Sequence, residues 1–307
     1  MNNRKIGSHS LPYTENSMPE IEPETTLCHQ YVISNNVRLH YVTQGEGPLM
    51  LMLHGFPEFW YSWRHQIAEF AQDYKVVALD LRGYNDSEKP NAVTAYHMSE
   101  LIKDVKGVIE GLGYENCVLV GHDWGGAIAW SFAYAHPDML QKLIVMNLPH
   151  LAKFQEALTH NPRQMLRSWY IGFFQLPMLP ELLFRADGYR AISSAFAERA
   201  TNKNAFSPED LDDFKEAAAK PGALTAMINY YRSNLDLIKN AKDWGILKIP
   251  TLLLWGEDDF ALGKELTYGT ETYVQDLQLH YLSHCSHWIQ QEQPEQVNQY
   301  MRTFLMD

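Results

Sequence analysis

The run Cys117-Val118-Leu119-Val120 stops at Gly121 and is followed at once by His122-Asp123-Trp124-Gly125-Gly126. No other stretch restricts the fold so tightly. A short continuous apolar run fits a strand buried on both faces, and the glycine-rich segment behind it reads as the first turn of a helix. Gly121-x-Asp123-x-Gly125 has the spacing of a nucleophile elbow. In that turn, glycines two residues to either side let the central residue take a strained conformation with its side chain exposed at the strand's C-terminal edge. The central residue here is Asp123. Short glycine spacings also arise by chance in ordinary strand–helix turns, so the elbow reading depends on partners elsewhere in the chain.

The pattern around the elbow predicts an α/β fold with a mostly parallel sheet covered by helices on both faces. From Tyr31, alternation at Val37, Leu39 and Tyr41 predicts half-buried antiparallel strands at the sheet's edge. Continuous apolar runs at Leu49–Leu53 and Lys75–Leu79 predict buried strands, separated by helical spacing over Trp60–Ala71. A helix over Ser99–Leu112 leads into the elbow strand, and a further strand follows at Leu143–Met146. Strand signals resume at Thr251–Trp255 and Leu277–Leu282, and a closing helix starts at Pro294 and turns Val297, Tyr300, Met301, Phe304 and Leu305 inward. Between about residues 148 and 245 the alternation gives way to helical patterns rich in large apolar side chains. This predicts a helical cap inserted into a core formed by residues 28–147 and 246–307. Ser207-Pro208-Glu209-Asp210 is a helix start, with a capping hydroxyl, a first-turn proline and acids at the positive dipole end; Pro221-Gly222 ends that helix.

The formal net charge of −12 and scattered basic residues exclude a nucleic-acid footprint. Cys28, Cys117 and Cys285 are three widely spaced thiols without CxxC spacing, as expected in a reducing, cytoplasmic compartment. Residues 1–27 are polar and read as a loose N-terminal extension, and no apolar run has the length of a membrane span. Neither HExxH nor paired Cys/His spacing is present, so no metal or cofactor is expected.

Ligands of open α/β sheets bind at the C-terminal ends of strands. After Leu53 comes His54-Gly55-Phe56-Pro57, a turn able to aim the Phe56 amide at an anion beside the amide of Trp124. After Trp255 come Glu257, Asp258 and Asp259; after Leu282 come His284 and His287. An acid in a loop is usually a solvated cap and a histidine beside tryptophan usually packs. The joint occurrence of elbow, amide pair, acid and histidine, in that chain order and at strand ends, favours catalysis. Spacing leaves Asp258 open against Asp259, and His284 against His287. Asp80, Arg82 and Tyr84 read as a structural knot, and His54 and His122 as residues that orient loops. Trp169, Phe173, Phe174, Met178 and Leu179 are the expected walls of an apolar substrate pocket. Tyr231 follows Leu224, Met227 and Ile228 on one helix face; Tyr170 shares a face with Leu166, Phe173 and Phe174.

From about Tyr31 onward the chain resembles the α/β-hydrolase-fold epoxide hydrolases, particularly the soluble enzymes and the epoxide hydrolase 3 and 4 group. The resemblance rests on His54-Gly55-Phe56-Pro57-Glu58-Phe59-Trp60, Asp80-Leu81-Arg82-Gly83-Tyr84, Gly121-His122-Asp123-Trp124-Gly125-Gly126 and Ser286-His287-Trp288. In the insertion it continues through Ser168-Trp169-Tyr170, Phe174-Gln175-Leu176-Pro177 and Asn229-Tyr230-Tyr231-Arg232. It implies Asp123 as nucleophile, Asp259 and His287 as its relay pair, and Tyr170 and Tyr231 as epoxide-activating acids. It also selects Asp259 over Asp258, since the family motif reads Gly-Glu-x-Asp. Asn85 departs from the family's usual glycine, at a place where asparagine tolerates left-handed backbone. The implied substrate is a small apolar epoxide, with water as the second reactant. The alternative is a haloalkane or haloacid dehalogenase using the same three residues, with Trp124 as a halide donor. Against it stand Phe56, where many haloalkane dehalogenases carry asparagine, and the lack of arginines after Asp123 to grip a haloacid. Ester hydrolysis fits less well without a serine or cysteine elbow, and a non-catalytic binding protein would tend to have lost the nucleophile or the histidine.

Overall fold

A computed structural model of the 307-residue chain describes residues 26–239 and 244–307, so nearly all of the expected N-terminal extension lies outside the described residues. Eight strands form one sheet: β1 (Cys28–Ser34), β2 (Val37–Gln44), β3 (Leu49–Leu53), β4 (Lys75–Leu79), β5 (Cys117–His122), β6 (Leu140–Met146), β7 (Thr251–Gly256) and β8 (Leu277–Leu282). Their spatial order is β1-β2-β4-β3-β5-β6-β7-β8, with β1 and β2 antiparallel and all pairs from β4 to β8 parallel. The continuous apolar runs became β3 and β4, and the later strand signal became β8, all with the predicted ends.

The alternating stretch forms antiparallel strands at one edge of the sheet, as predicted, but β2 is more than half-buried. Val37, Leu39 and Tyr41 are buried as expected, but His40 and Val42 on the other face are buried too, because His40 meets the buried Asp80 and Val42 packs in one layer with Ile67 and Phe70. The sheet's edge on this side is β1. Along Trp60–Ala71 the helix begins as a 3-10 turn (Trp60–Trp63) before α1 (Arg64–Phe70).

Two apolar layers sandwich the sheet. Met50, Met52, Val76 and Val120 pack under α1 and the closing helix, while Leu51, Leu53, Val77 and Leu119 pack against α2 (Met98–Gly111) and α3 (Trp124–Ala135). Alternate side chains of one strand point to opposite faces, so β3 must be apolar throughout to fill both layers. Between β6 and β7 the chain runs through α4 (Leu151–His160), α5 (Pro162–Arg167), α6 (Trp169–Phe173), α7 (Leu179–Arg199), α8 (Pro208–Ala219), α9 (Ala223–Ser233) and α10 (Asp236–Lys239). After β8 come α11 (Ile289–Glu292) and α12 (Pro294–Met306). Ser207 and Asp210 form the reciprocal capping box of α8. α7 is interrupted where Asp187, Gly188 and Tyr189 take left-handed backbone.

The knot at Asp80 is structural, as the sequence suggested. Its buried carboxylate accepts from the Trp60 amide, the Asn85 side chain and His40 Nδ1. Arg82 forms a buried two-point pair with Asp104, and the Tyr230 hydroxyl donates to the Arg82 carbonyl, tying α9 to the sheet.

Candidate active site

At the end of β5 Asp123 sits at φ 50°, ψ −121°, and the next residue opens α3. That sharp turn requires close backbone contacts. A Cβ on Gly121 would lie 2.4 Å from the Gly125 carbonyl oxygen, and one on Gly125 would lie 2.0 Å from that of Leu53. The elbow spacing therefore reports steric necessity. The Phe56 amide donates to Asp123 Oδ1 at 2.8 Å, while Oδ2 lies 3.5 Å from His287 Nε2. Trp124 is the first residue of α3, where backbone amides have no partner within the helix.

His287 Nδ1 lies 2.7 Å from Asp259 Oδ2. Asp259 is held on all sides: its Oδ1 accepts from the amides of Ala261 and Leu262, and its Oδ2 also accepts from Asn147 Nδ2 at 2.7 Å. Asp258 has only its backbone amide in this network, bonded to the Cys285 carbonyl, and His284 is not in it. Of these pairs, the structure brings Asp259 and His287 into contact.

The charges interlock. Burial opposes an imidazolium at His287, but the Asp259 and Asp123 carboxylates outweigh it and raise its pKa well above the usual value. Burial alone would raise Asp123; the contact with His287, the charge of His122 and the Phe56 amide hold it below the usual carboxylate range. Asp259 is lowered for the same reasons, with burial opposing and His287 and Asn147 prevailing.

Asn147 was missed by the sequence reading. It lies just past β6 with a positive φ of 42°, and its Oδ1 accepts from the Gly256 amide while its Nδ2 holds Asp259. Its position at a strand's C-terminal end was the signal available. Also missed was the partner of His122: Nδ1 lies 2.7 Å from Glu58 Oε2 and Nε2 2.8 Å from the His287 carbonyl oxygen. Glu58 is wholly buried and accepts further bonds from the Gly55 amide, Gln290 and Gln291.

Two cavities meet over Asp123, and Tyr170 and Tyr231 border both. The smaller, about 60 Å³, is walled by Leu148, Leu151, Phe154, Ile171 and Leu262. The larger, about 550 Å³, is walled by Phe56, Trp169, Phe174, Phe184 and Phe260, with Arg163, Arg167 and Arg199 among its lining residues. Tyr170 and Tyr231 meet edge to face at 5.8 Å between ring centroids, and Phe174 lies 4.7 Å from Tyr231. Burial, and next the Asp123 carboxylate, push both phenols above their usual pKa, so they are neutral donors at pH 7. Of the expected walls, Trp169 and Phe174 line the larger cavity, whereas Phe173, Met178 and Leu179 line neither. α6 ends at Phe173, and the chain then turns: Met178 adopts left-handed backbone before α7, and Met178 and Leu179 are exposed.

Among the described residues His40, Asp80 and Asp86 are close enough to share a cation, but Asp80 is already saturated by donors from His40, Trp60 and Asn85. A carboxylate backed by a histidine–carboxylate pair, with an amide on its other oxygen and two phenols above it, is suited to attack a carbon whose leaving atom is an oxygen.

Residues 48–294 match the model of the α/β hydrolase fold family. Epoxide hydrolase 4 of Mus musculus is 43% identical over 289 residues, spanning 92% of this chain and 80% of that protein. An AB hydrolase superfamily protein of Bacillus subtilis, YfhM, is 39% identical and is covered over 97% of its length by 90% of this chain. Among solved structures, the Bacillus megaterium epoxide hydrolase in complex with an inhibitor superposes with a TM-score of 0.86 at 38% identity, covering 91% of this chain and all of that one.

Proposed function

The chain belongs to the α/β-hydrolase-fold epoxide hydrolases, and from that premise we propose that it opens epoxides to vicinal diols through an ester formed on Asp123. The observation that carries this reading is the pairing of the Asp123 carboxylate with two buried, neutral phenols that border the same cavities. Residues 148–245 act as the cap that supplies those phenols, on a core of residues 28–147 and 246–307.

In the first step Asp123 Oδ2 attacks an epoxide carbon and the C–O bond breaks. Tyr170 and Tyr231 hydrogen-bond the departing oxygen, and one of them supplies its proton. Attack by the oxygen nearer His287 leaves Oδ1, already held by the Phe56 amide, as the ester carbonyl. Esterification removes the Asp123 charge that helped hold the proton on His287, so the imidazolium gives up its proton, which returns to the phenolate left by the first step, and the imidazole becomes a base only then. His287 Nε2 then takes a proton from water, whose oxygen adds to the ester carbon. The amides of Phe56 and Trp124 hold the oxyanion on Oδ1, each donor worth roughly 3 kcal/mol in comparable sites. Collapse expels the diol alkoxide, which takes the proton from His287; the Asp123 carboxyl, still holding the water's second proton, passes it to His287, and the carboxylate and imidazolium are restored. Asp259 fixes the imidazole tautomer throughout. No step calls for a cofactor.

The unequal cavities support a substrate with one large apolar substituent and one small one. The larger cavity, about 550 Å³, is of ordinary ligand size; the smaller, about 60 Å³, has room for little beyond a methyl group. Free Cys28, Cys117 and Cys285 support a reducing, cytoplasmic setting.

Intact-protein mass spectrometry of His287→Gln, incubated separately with styrene oxide and 1-bromobutane, tests the reading, with Asp123→Asn as control. An adduct of the whole epoxide on Asp123, absent in the control, is the expected result. A butyl adduct with none from the epoxide would make the protein a dehalogenase.

A further inference from the structure

The outer surface around the mouth of the larger cavity is unlike the rest of the molecule. Among the described residues, eight of the fifteen exposed large hydrophobic ones fall between Met165 and Leu183. Leu166 is 77% exposed, Met178 69% and Trp169 65%, with Leu182 and Leu183 beside them on the first turns of α7. Leu166 and Trp169 also line the larger cavity, and Phe184, one residue past Leu183, lines it from α7, so the patch borders the opening.

The charge of this face is also distinctive. Arg64, Arg82, Arg190, Arg232 and Arg302 each lie against a carboxylate. Arg163, Arg167, Arg185 and Arg199 form no ion pair among the described residues; the other such arginine, Arg38, lies over the Tyr31 ring on the sheet edge. Residues 162–200 carry five arginines against three carboxylates, in a chain of net charge −12. Two of those carboxylates, Glu181 and Asp187, are already paired with arginine.

We propose that this face docks on an anionic lipid bilayer, with Leu166, Trp169, Met178, Leu182 and Leu183 entering the headgroup boundary and Arg163, Arg167 and Arg185 meeting phosphates. A combination of exposed leucine and tryptophan with unpaired arginine is the signature of a surface that lies in the interface plane. The acidic remainder of the molecule is repelled by an anionic bilayer, which selects this orientation. Attachment is peripheral, because no described helix is long and apolar enough to cross a membrane. Docking sets the mouth of the larger cavity against the apolar phase in which water-insoluble epoxides collect. That delivery route rests on the proposed reaction; the docking itself does not.

Flotation of the full chain with phosphatidylglycerol-containing vesicles, against vesicles of phosphatidylcholine alone, tests the inference. Binding to the anionic vesicles is expected, and high salt should weaken it. The triple variant Leu182→Ser, Leu183→Ser, Arg185→Glu, whose residues line neither cavity, should lose about tenfold or more in bound fraction while keeping its circular dichroism and thermal midpoint. Quenching of Trp169 by brominated lipid, absent in Trp169→Phe, would place this face in the interface. Absence of binding to either vesicle, or binding that the triple variant leaves intact, overturns the inference. A dimer in light scattering that the triple variant dissociates, without vesicle binding, would assign the face to a second copy instead.

Discussion

The floor and the roof of the site are built by different forces. On the floor, Asp123, Asp259 and His287 stand at strand ends and are fixed by directed bonds; Asp259 alone takes four, from His287, Asn147, Ala261 and Leu262. On the roof, Tyr170 and Tyr231 belong to an apolar cluster with Phe174, Leu224 and Ile228, and are placed by packing. A bonded network holds one geometry and fails abruptly when a member is lost, whereas a packed cluster yields gradually. The floor thus suits proton and ester chemistry, and the roof suits the fitting of substrates of different shape.

The largest effect should come from breaking the floor at its most bonded residue. Asp259→Asn keeps the shape but removes the carboxylate that fixes the His287 tautomer, and steady-state turnover should fall about 10⁴-fold. Rapid-quench experiments should show the alkyl-enzyme still forming and then persisting. Equal loss in both steps would mean that Asp259 serves the fold rather than the base.

The roof should respond in the other step. Tyr170→Phe and Tyr231→Phe should each slow ring opening by about 10²-fold and leave ester hydrolysis unchanged, the range found for one positioned proton donor. Unchanged pre-steady-state alkylation in the double variant would remove both phenols from the mechanism.

The same contrast explains what the sequence disclosed. Floor residues announce themselves through local rules: Gly121 and Gly125 are forced by backbone approach, and Asp259 and His287 lie in the loops just past β7 and β8. Asn147 obeyed the same rule and was overlooked only because an amide carries no obvious chemistry. The Glu58–His122 contact joins residues 64 apart, and no local pattern reports such a pairing. Roof residues fared unevenly because periodicity says which face of a helix is apolar but not where the helix stops. Tyr231, inside the continuous α9, was placed correctly among its neighbours. Met178 ends the turn at 174–178 and Leu179 follows it; both are exposed, and with Phe173 they line neither cavity.

Asn147→Ala weakens the floor without removing a reacting group. It deletes one donor to Asp259 and leaves the Gly256 amide without its acceptor, a loss of about 1–3 kcal/mol in stability and on the order of tenfold in ester hydrolysis. Rescue by Asn147→Gln is not expected, since the longer side chain moves both groups. The pH behaviour should follow the charges. Asp123 raises the His287 pKa, so Asp123→Asn should make His287 titrate at lower pH, as read by NMR of the labelled ring. A group with a raised folded-state pKa gives stability that is present below its unfolded value near 6.5 and is lost as pH rises through the folded value. The substitution should therefore reduce the stabilisation gained on acidification. An unmoved titration would mean that the 3.5 Å contact with Asp123 carries no charge coupling.

The smallest effect should come from the roof's narrow side. Phe154 walls the cavity of about 60 Å³, and Phe154→Ala removes most of a ring from a wall that bears no bond to the reacting groups. Because packing rather than bonding sets this wall, the rate on an epoxide with one small substituent should change by only a few-fold. The gain should be confined to epoxides whose second substituent exceeds a methyl, whose kcat/KM should rise by up to about tenfold, the worth of one or two methylenes in an apolar pocket. The measured quantity is the ratio of kcat/KM between a monosubstituted epoxide and its 2-propyl-substituted analogue. A ratio unchanged by the substitution would mean that the smaller cavity never holds a substituent; a fall in both rates would mean that Phe154 supports Asp123 itself, and the division between a bonded floor and a packed roof would not hold there.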